Sequence, residues 1–226
     1  MKFLFGFRGA ELLPQGSIRA PKGITKLDRE QVKIAVIDDE TFQPRLQLQR
    51  LGYDAQELQD IKELDEVEGF DIALIDLMGV GMKFDIKNQG AFLVKEIRRN
   101  HPSVFICIYS GADNQSPLAV YARQNADMFI KKDEDVDTIT EKLDELAIRA
   151  SSPAIVWRRL RQALVDQGVS TKDILILEHE YVTQFLSRAP SSGPIVKLAN
   201  SLGISKTAKD IVVGLVSSYI FKAISG

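Results

Sequence analysis

The stretch that most limits what this chain can become is Asp71-Ile72-Ala73-Leu74-Ile75-Asp76. An apolar run this short, entered from Gly69, suits a strand buried on both faces, as in a parallel sheet. It ends on a carboxylate. A charge directly after a buried strand is costly unless it is exposed at a sheet edge, paired or bound to a cation. In open α/β sheets the crevice beyond the carboxyl ends of the strands is where ligands bind. What the other strands bring to that edge decides the reading.

Four more runs qualify as strands. Val32–Ile37 ends in Asp38-Asp39, and a second run covers Tyr53–Leu58. Val104–Tyr109 ends in Ser110-Gly111, and Met128–Ile130 ends in Lys131-Lys132. Between them the pattern predicts helices over Phe42–Leu51, with Phe42 and Leu46 on one face, and over Ile61–Val67, Ala91–Arg99 and Pro117–Gln124. A last helix carries Val136, Ile139, Leu143 and Leu146 as one apolar stripe. Strands alternating with helices imply a five-stranded, doubly wound parallel sheet, the α/β class. Right-handed crossovers then place all five strand tips on one edge.

Residues 1–31 show no sustained period and read as an arm, with Phe3, Phe5 and Phe7 alternating. The sheet unit spans 32–150. Ser151-Ser152-Pro153 is the expected boundary, because Pro153 suits the first turn of a new helix. Beyond it, 151–226 reads as a small all-α domain, with helices over Ala154–Gln167, Thr171–Arg188, Ile195–Leu202 and Ser205–Ile224. Thr171 is the expected cap of the second, and Ile174, Leu177, Tyr181 and Phe185 form its stripe.

Composition excludes several classes. The apolar fraction of 45% and the charged fraction of 27% suit a folded globular chain, and a net charge of −2 carries no nucleic-acid signature. The charge is uneven, with an acidic middle between mildly basic flanks. The single cysteine, Cys107, lies in an apolar strand and is expected to be a buried thiol. His101 and His179 have no Cys/His cluster around them, which argues against zinc. There is no signal-peptide core and no run of membrane-span length, so the expected location is the cytoplasm.

The polar groups at the strand tips are Asp38, Asp39, Asp76, Ser110 and Lys132. Three converging carboxylates would push one another towards protonation. A hard divalent cation resolves this, since Mg²⁺ takes oxygen ligands from carboxylates and phosphate. One carboxylate then stays available as a nucleophile towards phosphorus. The transferred group needs positive charge and donors, which Lys132, Ser110 and the Gly111 N–H can supply.

Over about 32–150 this set resembles the receiver domain of two-component response regulators. The resemblance rests on Val36-Ile37-Asp38-Asp39-Glu40, Leu74-Ile75-Asp76-Leu77-Met78, Tyr109-Ser110-Gly111 and Ala126-Asp127-Met128-Phe129-Ile130-Lys131-Lys132. It implies a flavodoxin-like fold with Asp76 as phosphoacceptor. It implies Asp39 as direct Mg²⁺ ligand, Asp38 acting largely through water, and the Met78 carbonyl completing the set. Ser110 becomes the switch hydroxyl, Lys132 (preferred to Lys131) the phosphate-pairing lysine, and Phe129 the aromatic that reports phosphorylation. The implied partner is a sensor histidine kinase or phosphotransfer protein. Catalysis would be limited to the receiver's own phosphorylation and dephosphorylation. An acidic edge that merely binds a cation, or a receiver that no longer takes phosphate, stays open on the residues alone. One departure stands out. The family's proline, four residues after the phosphoacceptor, is replaced by Val80, and the matching glycine is Gly90. The loop Leu77–Gln89 is several residues longer than usual.

For the output, Leu198–Ser205 resembles the turn of a helix-turn-helix. Lys209 then falls where an apolar residue should lock the second helix, and Ile211–Val216 is apolar all round. A groove-reading helix should expose polar and basic side chains. The expected use of Ile211–Ile224 is therefore burial, either inside a small helical domain or in a dimer or partner interface, and 151–226 is expected to engage a protein partner or a second copy of the chain. A DNA-binding regulator and a phosphate-buffering receiver with little output are the alternatives.

Overall fold

The computed structural model describes residues 28–111, 115–187 and 191–216. The Phe3-Phe5-Phe7 alternation and the end of the last expected helix lie outside these residues. The strands are β1 (Lys33–Ile37), β2 (Asp54–Glu57), β3 (Ile72–Ile75), β4 (Phe105–Ser110) and β5 (Met128–Lys131). All pairings are parallel, in the order β2-β1-β3-β4-β5. This is the flavodoxin-like order, with its switch point between β1 and β3.

The strand sequences alternate between two apolar layers. Ile34, Val36, Ile72, Leu74, Phe105, Cys107 and Tyr109 point into one. Ile37, Ala73, Ile75, Ile106 and Ile108 point into the other. Helices α1 (Arg45–Arg50) and α4 (Val136–Ala150) cover the first face. On the second lie α2 (Gln89–Asn100), α3 (Pro117–Arg123) and a 3-10 turn, Leu64–Val67. Each fully buried aliphatic side chain contributes about 1.5–3 kcal/mol, so this interior, rather than helix propensity, fixes the elements.

Local chemistry sets the helix starts. Ser116 accepts from Ala119 N at 3.2 Å ahead of α3, and Asp135 accepts from Thr138 N at 2.9 Å ahead of α4. Two local expectations are corrected. The first helix begins only at Arg45, after Pro44, so Phe42 lies outside it and the spacing to Leu46 is not helical. Leu48 is buried instead, and Leu46 is 68% exposed. Of the stretch 61–67 only Leu64–Val67 is helical, as a 3-10 turn closed by reciprocal bonds between Glu63 and Glu66.

Beyond α4, the helices are α5 (Pro153–Asp166), α6 (Thr171–Leu186), α7 (Gly193–Ser201) and α8 (Lys206–Val216). Pro153 opens α5, and Ser170, not Thr171, caps α6 by accepting from Asp173 N at 3.1 Å. Trp157 stacks on Tyr181 at 4.9 Å, and the buried Tyr181 hydroxyl donates to the Pro153 carbonyl at 3.0 Å. Ala208, Ile211, Val212 and Leu215 of α8 are buried, and α8 packs on α5, α7 and α2. Their apolar cluster is continuous with the sheet layer under α4. Cys107 is buried, and burial pushes its thiol pKa up. Among the described residues, no helix is long and apolar enough to cross a membrane.

Candidate functional site

Register brings the expected residues together. Ile37 pairs with Ile75 and Ile75 with Ile108, so the residues just beyond β1 and β3 emerge side by side at the carboxyl edge. Asp38 and Asp76 leave the sheet there, both buried, and Asp39 follows, exposed. One oxygen from each of the three carboxylates lies within 4.8 Å of the others. At an effective dielectric near 20, two unit charges that close repel by about 3–4 kcal/mol. One ammonium group cannot neutralise three carboxylates, so the edge keeps an excess of negative charge.

Ser110 ends β4, and its hydroxyl donates to Asp76 Oδ1 at 2.6 Å. The Leu77 N–H donates to the same oxygen at 2.6 Å. Lys132 leaves β5 and places Nζ 2.7 Å from Asp76 Oδ2 and 2.9 Å from Asp38 Oδ2. Lys131, one residue earlier, is exposed. Burial disfavours the Lys132 ammonium, but its bonds to Asp38 and Asp76 outweigh that and raise its pKa. Burial is also the largest influence on Asp38. It raises the carboxyl pKa despite the bonds from Lys132 and the Glu40 N–H.

Asp38 is thus committed to Lys132 and to Glu40 N, the latter at 2.9 Å. No hydrogen bond or ion pair engages the Asp39 carboxylate among the described residues. Hard cations take oxygen ligands of this kind, and this carboxylate set can hold one. Met78 lies two residues past β3. Its N–H faces Asp76 Oδ1 at 3.5 Å, and its side chain is exposed. Phe129 is half-buried in β5, with the Arg123 guanidinium 5.1 Å from its ring centroid. Tyr109 meets Phe42 edge-on at 5.2 Å, with Lys132 Nζ 5.9 Å from its ring. Burial raises the Tyr109 phenol to about 12.

The long loop 77–89 is built into the site. Gly79 sits at φ +80°, and a Cβ there would collide with the Asp39 carboxylate. The Gly79 N–H donates to Gln89 Oε1 at 3.0 Å and the Gly81 N–H to Asp60 at 2.7 Å. Asp85 accepts from Lys87 N and Asn88 N, both at 2.9 Å, and Val80 is buried. A Cβ at Gly90 would strike the Asp76 carbonyl. In the sequence Gly79 is one glycine among several in the loop 77–89, and nothing local marks it as part of the site.

A scan of protein-family models and a search of curated proteins find no match. Solved structures do resemble the chain. A CheY-like response regulator receiver domain protein from Methanospirillum hungatei is 22% identical with a TM-score of 0.46, covering 53% of this chain and 95% of its own. A Thermotoga maritima response regulator, described in complex with Mg²⁺ and BeF, is 23% identical with a TM-score of 0.38, covering 51% and 98%. A Burkholderia pseudomallei response regulator, described with a phosphorylated aspartic acid, calcium and citrate, is 20% identical with a TM-score of 0.42, covering 62% and 87%. These are likenesses of fold at low identity. On its own strand order and parallel register, the sheet half of this chain has the flavodoxin-like fold.

Proposed function

We propose that this chain is a two-component response regulator that accepts a phosphoryl group on Asp76 in a Mg²⁺-dependent reaction. In this reading 1–31 is an arm, 32–150 the receiver and 151–226 the output unit. The observation that carries it is the environment of the Asp76 carboxylate. Ser110 and Lys132 hold its two oxygens at 2.6 and 2.7 Å, and two further carboxylates stand within 4.8 Å.

A carboxylate oxygen of Asp76 attacks the phosphorus of a phosphohistidine or of a small phosphodonor. The P–N or P–O bond to the donor breaks, its electron pair leaves with the donor, and an acyl phosphate remains on Asp76. Lys132 pairs with the incoming equatorial oxygens from where its ammonium already sits. The Ser110 hydroxyl turns its donated hydrogen bond from the carboxylate to a phosphoryl oxygen. Asp39, uncommitted and exposed, would hold Mg²⁺ directly, with Asp38 acting through water and the Met78 carbonyl completing the set. The cation would supply charge neutralisation at the phosphoryl oxygens. The donor is a sensor histidine kinase or phosphotransfer protein, and the chain's chemistry is confined to its own phosphorylation and dephosphorylation.

The output unit engages a protein partner or a second copy of the chain. Lys209, where a recognition helix would need an apolar lock, speaks against groove reading. Ile211, Val212 and Leu215 are packed inside the chain against α5, α7 and the receiver's α2, so that face of α8 is not the partner surface. The test is incubation with acetyl phosphate and Mg²⁺, followed by peptide mapping of the acyl phosphate. The label is expected on the peptide carrying Asp76, and labelling elsewhere overturns the assignment. A salt-dependent gel shift that appears only on phosphorylation would favour the DNA reading instead.

A further inference from the structure

At the opposite edge of the sheet from Asp76, one carboxylate carries three arginines. Asp127 immediately precedes β5. It receives Arg98 Nη2 at 2.6 Å, Arg149 Nη2 at 3.2 Å and Arg159 Nη1 at 3.3 Å. Arg149 also lies 3.9 Å from Glu145, so two carboxylates face three guanidinium groups and the cluster keeps an excess of positive charge. Arg159 is the most enclosed of the three, with a side chain 14% exposed. Its guanidinium lies 3.8 Å from the Phe105 ring centroid and donates to the Val104 carbonyl at 2.8 Å. Its Nε is buried without an acceptor. A buried donor of this kind costs free energy until an acceptor reaches it.

Above this cluster, α2 and α5 enclose a cleft of about 540 Å³. Lys95, Arg98 and Arg99 line it from α2, and Arg159, Gln162 and Asp166 from α5. Lys95 and Arg99 are exposed at the rim, and among the described residues neither has an ion-pair partner. Asp166 is the one carboxylate among the lining residues, and it already accepts from Gln162 at 2.9 Å. Four cations therefore line a space of small-molecule size, for which about 300–1,000 Å³ is typical. Arg98 and Arg159 share Asp127, while Lys95 and Arg99 face only Asp166.

We infer that this cleft binds a small polyanion carrying two or more phosphate groups, held between the receiver's α2 and the first output helix. Guanidinium forks match phosphate oxygens two at a time, and the rim lysine adds a point charge. A single phosphate would leave much of the cleft unfilled, whereas a phosphate chain spans from Arg159 to the rim. Inorganic polyphosphate and the phosphate tail of a nucleotide share this chemistry. The site stands apart from Asp76, and the inference does not depend on phosphorylation there.

The test is isothermal titration of the full chain with tripolyphosphate, in chelator-containing buffer at physiological salt, which removes cation bridging at the acidic edge. Saturable binding at one site per chain is expected. Lys95→Gln combined with Arg99→Gln, both exposed and tied to no other residue, should weaken it by about tenfold or more. That double variant should take label at Asp76 as the wild type does. Arg45→Gln, on the other side of the sheet, should bind as the wild type. Tighter binding of ATP than of tripolyphosphate assigns a nucleotide, and equal binding assigns the phosphate chain. Non-saturating heat, equal loss in Arg45→Gln and in the double variant, or tighter binding of a polyglutamate peptide overturns the proposal.

Discussion

Gly79 lies so close to Asp39 that a side chain there would collide with that carboxylate where it stands. The long loop after β3 is therefore a wall of the acidic edge, with its position fixed by bonds from Gly79 to Gln89 and from Gly81 to Asp60.

Gly79→Ala should separate cation binding from folding. The residue's φ of +80° makes a side chain strained, by about 1–3 kcal/mol. The obstacle is the far end of an exposed side chain, so the chain should fold with Asp39 displaced. Mg²⁺ affinity, read by titration, should fall by about tenfold or more. Gly90→Ala meets the Asp76 backbone instead and should lower the melting temperature more than Gly79→Ala does. Unchanged Mg²⁺ affinity in Gly79→Ala would remove the loop from the site.

Lys132→Ala should bind Mg²⁺ at least as tightly as the wild type. Its ammonium sits 2.7 Å from Asp76 and 2.9 Å from Asp38 and competes with any cation for their charge. The variant should fail to convert phosphorylation into a structural change, because the group proposed to pair with phosphate is gone. Mg²⁺ titration together with amide exchange, with and without a phosphoryl analogue, checks both halves. Weaker Mg²⁺ binding or intact coupling would contradict the assigned role.

Asp38 sets a pH dependence. Burial raises its folded-state pKa above the ordinary carboxylate value. A raised group contributes stability below its unfolded pKa and loses that contribution as pH rises through its folded pKa. The cation-free chain should therefore lose this contribution on moving up from about pH 4 towards neutrality. Added Mg²⁺ opposes the loss, since it needs the ionised form. The rise in melting temperature caused by Mg²⁺ should grow across that interval, and a constant rise would argue against Asp38 as part of the cation site.

A second ion cluster ties the start of the sheet unit to α4. Arg29 donates to Asp144 through Nε at 2.9 Å and Nη2 at 2.6 Å, and the Tyr53 hydroxyl donates at 2.6 Å. Burial works against the Asp144 carboxylate, but these bonds outweigh it and hold its pKa low. Its contribution is present above the unfolded carboxylate pKa and is lost as pH falls through the lowered folded value. Asp144→Asn should cost about 1–2 kcal/mol at neutral pH after allowance for its partial exposure. Denaturant unfolding at pH 7 and in acid checks the size and the sign.

The central strands β1, β3 and β4 are legible because each is an apolar run buried on both faces, whereas β2 at the sheet edge is the polar Asp54–Glu57 with only Ala55 buried and is marked mainly by its place between two helical stretches. The tips followed, since register carries Asp38, Asp76 and Ser110 to one edge once the strands are known. What depended on a starting point was less legible. Counting from Phe42 puts Leu46 on the same face, whereas the helix begins at Arg45, buries Leu48 and leaves Leu46 exposed. The fit of Gly79 against Asp39 and the convergence of Arg98, Arg149 and Arg159 on Asp127 are contacts between distant segments. No local pattern announces either.

The most direct test of the central claim is intact-mass measurement of the wild type and Asp76→Asn after incubation with acetyl phosphate and Mg²⁺. The wild type should gain one phosphoryl group, lost on treatment with hydroxylamine and absent when the metal is chelated. Asp76→Asn, folded as judged by its melting curve, should gain none. Equal labelling of the two proteins would contradict the assignment of Asp76 as the phosphoacceptor.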